Sequence, residues 1–184
     1  MDAVLQKKSM RNWQQQSRLM SNWNTDYKSK ADKMKFTEYQ DMLPLEILET
    51  IQNIHAELSA MGFTEEIKEA KSGPVLSYMK DKKVLLNYVY RKSGIKVRLY
   101  ATGIAAYENC LAVLPDSMKA ELKKAADCKK LNGLTCTPTC PGGYTYTLEG
   151  ELLKKCRSMA FLMTLNQKTA EYIQTLVLCE AKER

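Results

Sequence analysis

The chain reads as an α+β protein, an antiparallel sheet of hairpins with helices packed mainly on one face, preceded by an N-terminal helical arm. Three observations predict this. Ile47, Leu48, Ile51, Ile54, Leu58 and Met61 recur at intervals of three and four, the repeat of a helix with one apolar face. From Val84 to Tyr100 the composition turns to β-branched and aromatic residues in alternation. Strand-like and helix-like stretches then come in batches, where a parallel sheet needs strict βαβ order. The 184 residues suit one domain with an extension: a basic helical segment over 1–35 and a single α+β domain over 36–184.

The elements follow in chain order. Trp13, Met20, Tyr27 and Met34 repeat every seven residues, a helical stripe without a second apolar position per heptad, so a docking arm is expected before a coiled coil. Thr37-Glu-Tyr-Gln40 resembles a capping box, Pro44 opens the first turn of the strongest helix, and Gly62 stops it. The sole histidine, His55, sits one residue off the centre of that helix's apolar stripe, the position of a hydrogen-bonded residue at the core edge. Strands are expected over 75–79, 84–90 and 95–100. They turn through Lys80-Asp-Lys-Lys83 and through a four-residue loop, Arg91-Lys-Ser-Gly94. Helices over 104–114 and 116–126 are separated by Pro115. Strands at 144–148 and 152–165 flank Glu149-Gly150, and Asn166 caps a final helix carrying Ala170, Ile173, Leu176 and Val177.

Composition narrows the functional classes. With 45% apolar and 27% charged residues the chain is of ordinary globular type. No apolar run nears the roughly 18 residues that a membrane span needs. Met1-Asp-Ala-Val-Leu-Gln-Lys-Lys8 turns polar before a signal's apolar region can form, so a cytoplasmic location and reduced cysteines are expected. None of the phosphate-loop, dinucleotide, nucleophile-elbow or zinc-protease motifs occurs, and no catalytic residue is assigned.

Charge is unevenly spread: residues 1–35 hold eight basic and three acidic side chains, 36–72 two and eight, and 73–100 seven and one. The last block makes the expected hairpin basic. Ile95, Val97 and Leu99 point one way, to the core, and Lys96, Arg98 and Tyr100 the other. With Arg91 and Lys92 in the loop, these residues form a candidate nucleic-acid surface, cations for phosphates and a ring for stacking. The N-terminal arm is a candidate surface for a protein partner.

Cys128, Cys136, Cys140 and Cys156 follow the pattern C-x7-C-x3-C-x15-C, with Cys110 and Cys179 outside it on expected helices. If Glu149-Gly150 is a two-residue turn, Leu148 pairs with Glu151, Tyr146 with Leu153 and Gly143 with Cys156. That register returns Cys156 to the Cys140-Pro-Gly-Gly143 bend. The loop over 128–143 is rich in proline and glycine and has little core of its own. A four-cysteine zinc site, with thiolates about 2.3 Å from the metal, would organise it. Free, packed thiols are the competing expectation. A third is redox chemistry at Cys156 and Cys140, since Lys154, Lys155 and Arg157 beside Cys156 favour a thiolate.

The stretch Cys136-Thr-Pro-Thr-Cys140-Pro-Gly-Gly-Tyr-Thr-Tyr, followed by Gly150 and by Lys155-Cys156-Arg157-Ser-Met-Ala-Phe161, resembles a segment of uncharacterised proteins from Clostridium-type gut bacteria, over roughly residues 75–180. The element order is also similar to that of small YjbR-like α+β domains, some of them described as DNA-binding. Neither resemblance implies a catalytic residue. The sequence thus leads to a cytoplasmic bacterial, non-enzymatic binding or regulatory domain whose cysteine loop is organised by zinc or contains free thiols. A nucleic-acid-binding module and a thiol-based redox protein are the alternatives.

Overall fold

A computed structural model describes residues 34–102, 104 and 108–184 of the chain. The expected N-terminal arm and its stripe, Trp13, Met20 and Tyr27, lie outside the described residues. The chain divides into two units, Met1–Met42 and Leu43–Arg184.

In the first unit, α1 spans Phe36–Gln40. The Glu38 carboxylate accepts the Lys35 N–H at 2.9 Å, so the turn closes two positions before the start expected at Thr37.

The second unit begins with α2, Leu45–Ala60, which buries Ile47, Ile51, Ile54 and Leu58. Its end is fixed by backbone geometry. Gly62 takes a left-handed φ of 81°, and the Phe63 N–H returns to the Leu58 carbonyl at 3.0 Å, satisfying a carbonyl the helix leaves open. Four strands follow: β1 Thr64–Lys68, β2 Val75–Lys80, β3 Lys83–Arg91 and β4 Gly94–Leu99. Two short helices come next, α3 Glu108–Ala112 and α4 Asp116–Lys124, then β5 Tyr144–Leu148, β6 Glu151–Lys155 and β7 Leu162–Thr164. The last element is α5, Ala170–Lys182.

The fold is α+β. One antiparallel sheet has the order β1-β2-β3-β4-β7, and β5 pairs with β6 in a second, two-stranded sheet. The pairs Leu76↔Tyr88, Tyr78↔Leu86, Tyr88↔Val97, Leu86↔Leu99 and Val97↔Met163 put one buried row across four strands. From α2, the His55 Nδ1 meets the Tyr78 hydroxyl at 2.9 Å at the margin of that row. Helix α5 packs on α2. Lys96 and Thr164 occupy the opposite face, where Glu121 of α4 meets them: Lys96 Nζ lies 3.0 Å from its carboxylate, and the Thr164 N–H donates to it at 2.8 Å.

Three expectations are corrected. Strand β1 was not foreseen, because Thr64-Glu-Glu-Ile-Lys68 has low strand propensity; it forms at the sheet edge, where charges are tolerated. The loop after β3 is tighter than four residues, since Arg91 pairs with Gly94 and only Lys92-Ser93 turns. The segment 152–165 is not one strand. Ala160 N–H donates to the Cys156 carbonyl at 2.8 Å, and this turn sends β6 and β7 into different sheets.

Candidate functional site: a thiol loop on the small hairpin

The loop is anchored on β6. Asp127 bridges Lys155, with the Cys128 N–H donating to the Lys154 carbonyl and the Cys156 N–H to the Ala126 carbonyl, both at 2.8 Å. The Lys155 ammonium, nearly buried, holds Asp127 at 2.7 Å. Strand β6 is therefore flanked by β5 on one side and by residues 126–128 on the other. The hairpin register matches the expected one at Leu148↔Glu151 and Tyr146↔Leu153, but the ladder stops at Tyr144↔Lys155. Beyond it, the Cys156 N–H bonds to the start of the loop, at Ala126, instead of lying opposite Gly143.

Gly143 marks the tightest point. A Cβ there would lie 2.1 Å from the Lys155 carbonyl oxygen and 2.6 and 2.8 Å from Cβ and Sγ of Cys128, so only glycine lets the chain pass. Cys128 is buried beneath it. Between these ends a 3₁₀ turn, Lys130–Asn132, closes on Gly133 with φ 73°. A second turn follows, in which the Cys140 N–H donates to the Thr137 carbonyl at 3.0 Å. Pro138 stands second in it, its ring fixing the φ such a turn requires. The Lys130 ammonium donates to the Cys140 carbonyl and ties the second turn to the first.

This turn brings Cys136 and Cys140 together. Both are part-exposed. The Cys136 thiol is held below the usual thiol range. The backbone of Thr137 contributes most, the Cys140 thiol next; burial works against them, and the Thr137 hydroxyl and the Lys129 charge add the smallest shares. A lowered thiol with a second cysteine in the same turn is the arrangement of a nucleophile and its partner.

The other candidate residues are placed differently. Cys156 is part-exposed with its Sγ 3.5 Å from the Ser158 hydroxyl, in the turn after β6 and not mid-strand. The cations next to it in sequence are engaged elsewhere, Lys155 with Asp127 and Arg157 4.9 Å above the Tyr144 ring. Among the described residues, no group of three or more cysteine, histidine or acidic side chains is gathered as a metal-binding set. All six cysteines are free thiols. Lys129, Lys130 and Thr137 were missed from sequence. Their signal was the Lys-Lys pair directly after Cys128 and the Thr-Pro step between two cysteines.

On the basic hairpin, Arg91 and Lys92 are exposed at its tip. Lys96 is ion-paired with Glu121 at 3.0 Å and also donates to the Thr164 hydroxyl at 2.9 Å, while Arg98 and Tyr100 are half-buried. The Glu121 carboxyl stays below its ordinary range: burial raises it, and the hydrogen bonds from Thr164 and Lys96 outweigh that.

No family model, curated protein or solved structure matches the chain. No described helix is long and apolar enough to cross a membrane.

Proposed function

We propose that the protein is a non-enzymatic regulatory domain whose working part is the Cys136–Cys140 dithiol, which responds to the thiol–disulfide state of its surroundings. One feature supports this reading above all: the turn closed by the Cys140 N–H on the Thr137 carbonyl at 3.0 Å carries a part-exposed cysteine on either side of Thr137-Pro-Thr139, and the Thr137 backbone, the Cys140 thiol and the Lys129 charge hold the Cys136 thiol below its usual range. Thiolate, exposure and an adjacent resolving thiol are what a redox-sensing pair requires. With a low-mass disulfide as oxidant, the Cys136 thiolate attacks one sulfur and the first small thiolate leaves. Cys140 then loses its proton and its sulfur attacks Cys136, expelling the second thiolate. Two protein thiols become one disulfide, and one small disulfide becomes two small thiols.

Equilibration with graded ratios of a reduced and oxidised low-mass thiol, acid quenching, alkylation and peptide mapping test this. A single two-electron transition joining Cys136 to Cys140 supports the proposal. Alkylation of both cysteines at every ratio overturns it.

Zinc held by Cys128, Cys136, Cys140 and Cys156 is the second reading. A depressed thiol pKa at Cys136 supports it, because a zinc ligand must be deprotonated, and Cys128 and Cys156 lie at the two ends of the segment pair that anchors the loop. Elemental analysis of protein purified without chelator separates the two. One zinc per chain, lost in Cys136→Ser, would replace the dithiol reading. Binding of nucleic acid through Arg91, Lys92, Lys96, Arg98 and Tyr100 has weaker support, since Glu121 already neutralises Lys96.

A further inference from the structure

A second thiol pair lies outside the loop. Cys110 on α3 and Cys179 on α5 are 69 residues apart in sequence, yet their sulfurs are 3.9 Å apart. This is van der Waals contact between sulfurs on two different helices, with both residues part-exposed. We propose that Cys110 and Cys179 form a second oxidation site, a disulfide latch that fastens α3 to α5 when a peroxide is the oxidant. The proposal goes beyond the loop dithiol and does not depend on it.

The surroundings distinguish the two pairs. At Cys136 the neighbours are a backbone donor, a second thiol and a lysine; at Cys179 burial most strongly, then the Cys110 thiol, raise its thiol pKa, with Glu183 adding to them and the Lys182 charge working against them. A raised pKa leaves little thiolate at neutral pH, so this pair reacts later than the loop pair and faster as pH rises. Peroxide is small enough to reach a part-covered pair. A thiolate of the pair attacks one peroxide oxygen: an S–O bond forms, the O–O bond breaks, and the leaving hydroxide takes up the thiol's proton as water. The second sulfur then attacks the sulfenic sulfur, the S–S bond forms, the S–O bond breaks and a second water leaves. Two thiols and one hydrogen peroxide give one disulfide and two waters.

The latch has a structural target. Helix α3 packs on β5, the strand into which the thiol loop runs, and the Glu108 carboxylate faces the Thr147 N–H at 3.4 Å. Joining α3 covalently to α5 therefore fixes the support on which the loop's hairpin rests. The closed ring spans the whole segment between the two cysteines, and loops of that length stabilise mainly by restricting the unfolded chain.

The test uses full-length Cys136→Ser/Cys140→Ser protein, in which the loop pair cannot report, alongside the wild type. Each is exposed to hydrogen peroxide over time, free thiols are alkylated, and peptides are mapped without reduction. The latch predicts a Cys110–Cys179 cross-linked peptide in both proteins, forming later than any loop disulfide and faster at higher pH. It also predicts a melting temperature higher by roughly 10 °C in the oxidised form, reversed by reductant. Complete alkylation of Cys110 and Cys179 after long exposure, or cross-links from either to other cysteines only, overturns the latch whatever the loop pair does. Because the mapping reads the unaltered pair, no outcome depends on whether a Cys110 or Cys179 variant folds.

Discussion

Gly143 shows how much one absent side chain does for the site. Its Cα passes between the Lys155 carbonyl and Cys128, closing the loop onto β6. Replacing it with alanine forces that contact open. Gly143→Ala is expected to cost about 1–3 kcal/mol in urea unfolding, the range for overpacking, and to raise the exposure of Cys128 to alkylating reagent. A stability change within about 0.5 kcal/mol and an unreactive Cys128 would show that the crossing is looser than described. At this scale the sequence was partly legible. The glycine and the hairpin register placed the bend near Cys156, because turn chemistry is local. The turn that carries Cys136 and Cys140 was not, since it arises from Pro138, a backbone hydrogen bond and Lys130 reaching back to the Cys140 carbonyl, none of which has a spacing signature. The surroundings of Cys156 were not legible for the same reason: Lys155 and Arg157 adjoin it in sequence but direct their charges to Asp127 and Tyr144.

At the scale of elements, the hairpins carry their own tests. The turn between β2 and β3 is Asp81-Lys82, with φ 50° and 62°, both left-handed. Two-residue turns of this kind favour Asn-Gly or Asp-Gly, and a lysine at the second position pays a steric cost that glycine avoids. Lys82→Gly is expected to stabilise the protein by about 0.5–1 kcal/mol, the relief of strain exceeding the entropy glycine adds to the unfolded chain. A loss of stability on denaturation would contradict the turn geometry. The corresponding turn in the small hairpin already has Glu149-Gly150, with φ 52° and 77°. There Glu149 is fastened to α4 through Lys119 at 3.3 Å and Lys123 at 2.8 Å, which keeps its carboxyl below the usual range. Strong periodicity made α2, the central strands and this hairpin readable. Strand β1 and the break at Cys156 were not readable: the charged 64–68 segment becomes a strand only by pairing with β2, and the turn over 156–160 interrupts an otherwise strand-like run.

Across the whole second unit, the last helix is joined to the sheet by buried charge. Glu180, fully buried, accepts the Thr102 N–H at 2.8 Å and pairs with Arg184 Nε at 3.0 Å. Arg184 in turn donates to the carbonyls of Val84, at 3.0 Å, and Tyr100. Removing one member leaves the other charge buried. Glu180→Ala should therefore cost about 3–5 kcal/mol, read as a shift of the denaturation midpoint at unchanged slope. A change below about 1 kcal/mol would mean that water reaches the pair. Nothing in the sequence announced this network, since its members are brought together only when α5 docks.

The central claim, a dithiol poised at Cys136, is tested most directly by the rate at which each cysteine of the native protein is alkylated as pH is varied. The sign follows from the lowered pKa: the folded state releases the Cys136 proton earlier than the unfolded chain, so the thiolate persists as pH falls until the folded pKa is passed. The account predicts that Cys136 is modified first at neutral pH, with an inflection below the roughly 8.5 of a free cysteine. Lys129→Ala should move that inflection upward, and Cys179 should lag with an inflection above it. A Cys136 that alkylates no faster than Cys156, with its inflection at or above that of a free cysteine, would contradict the account.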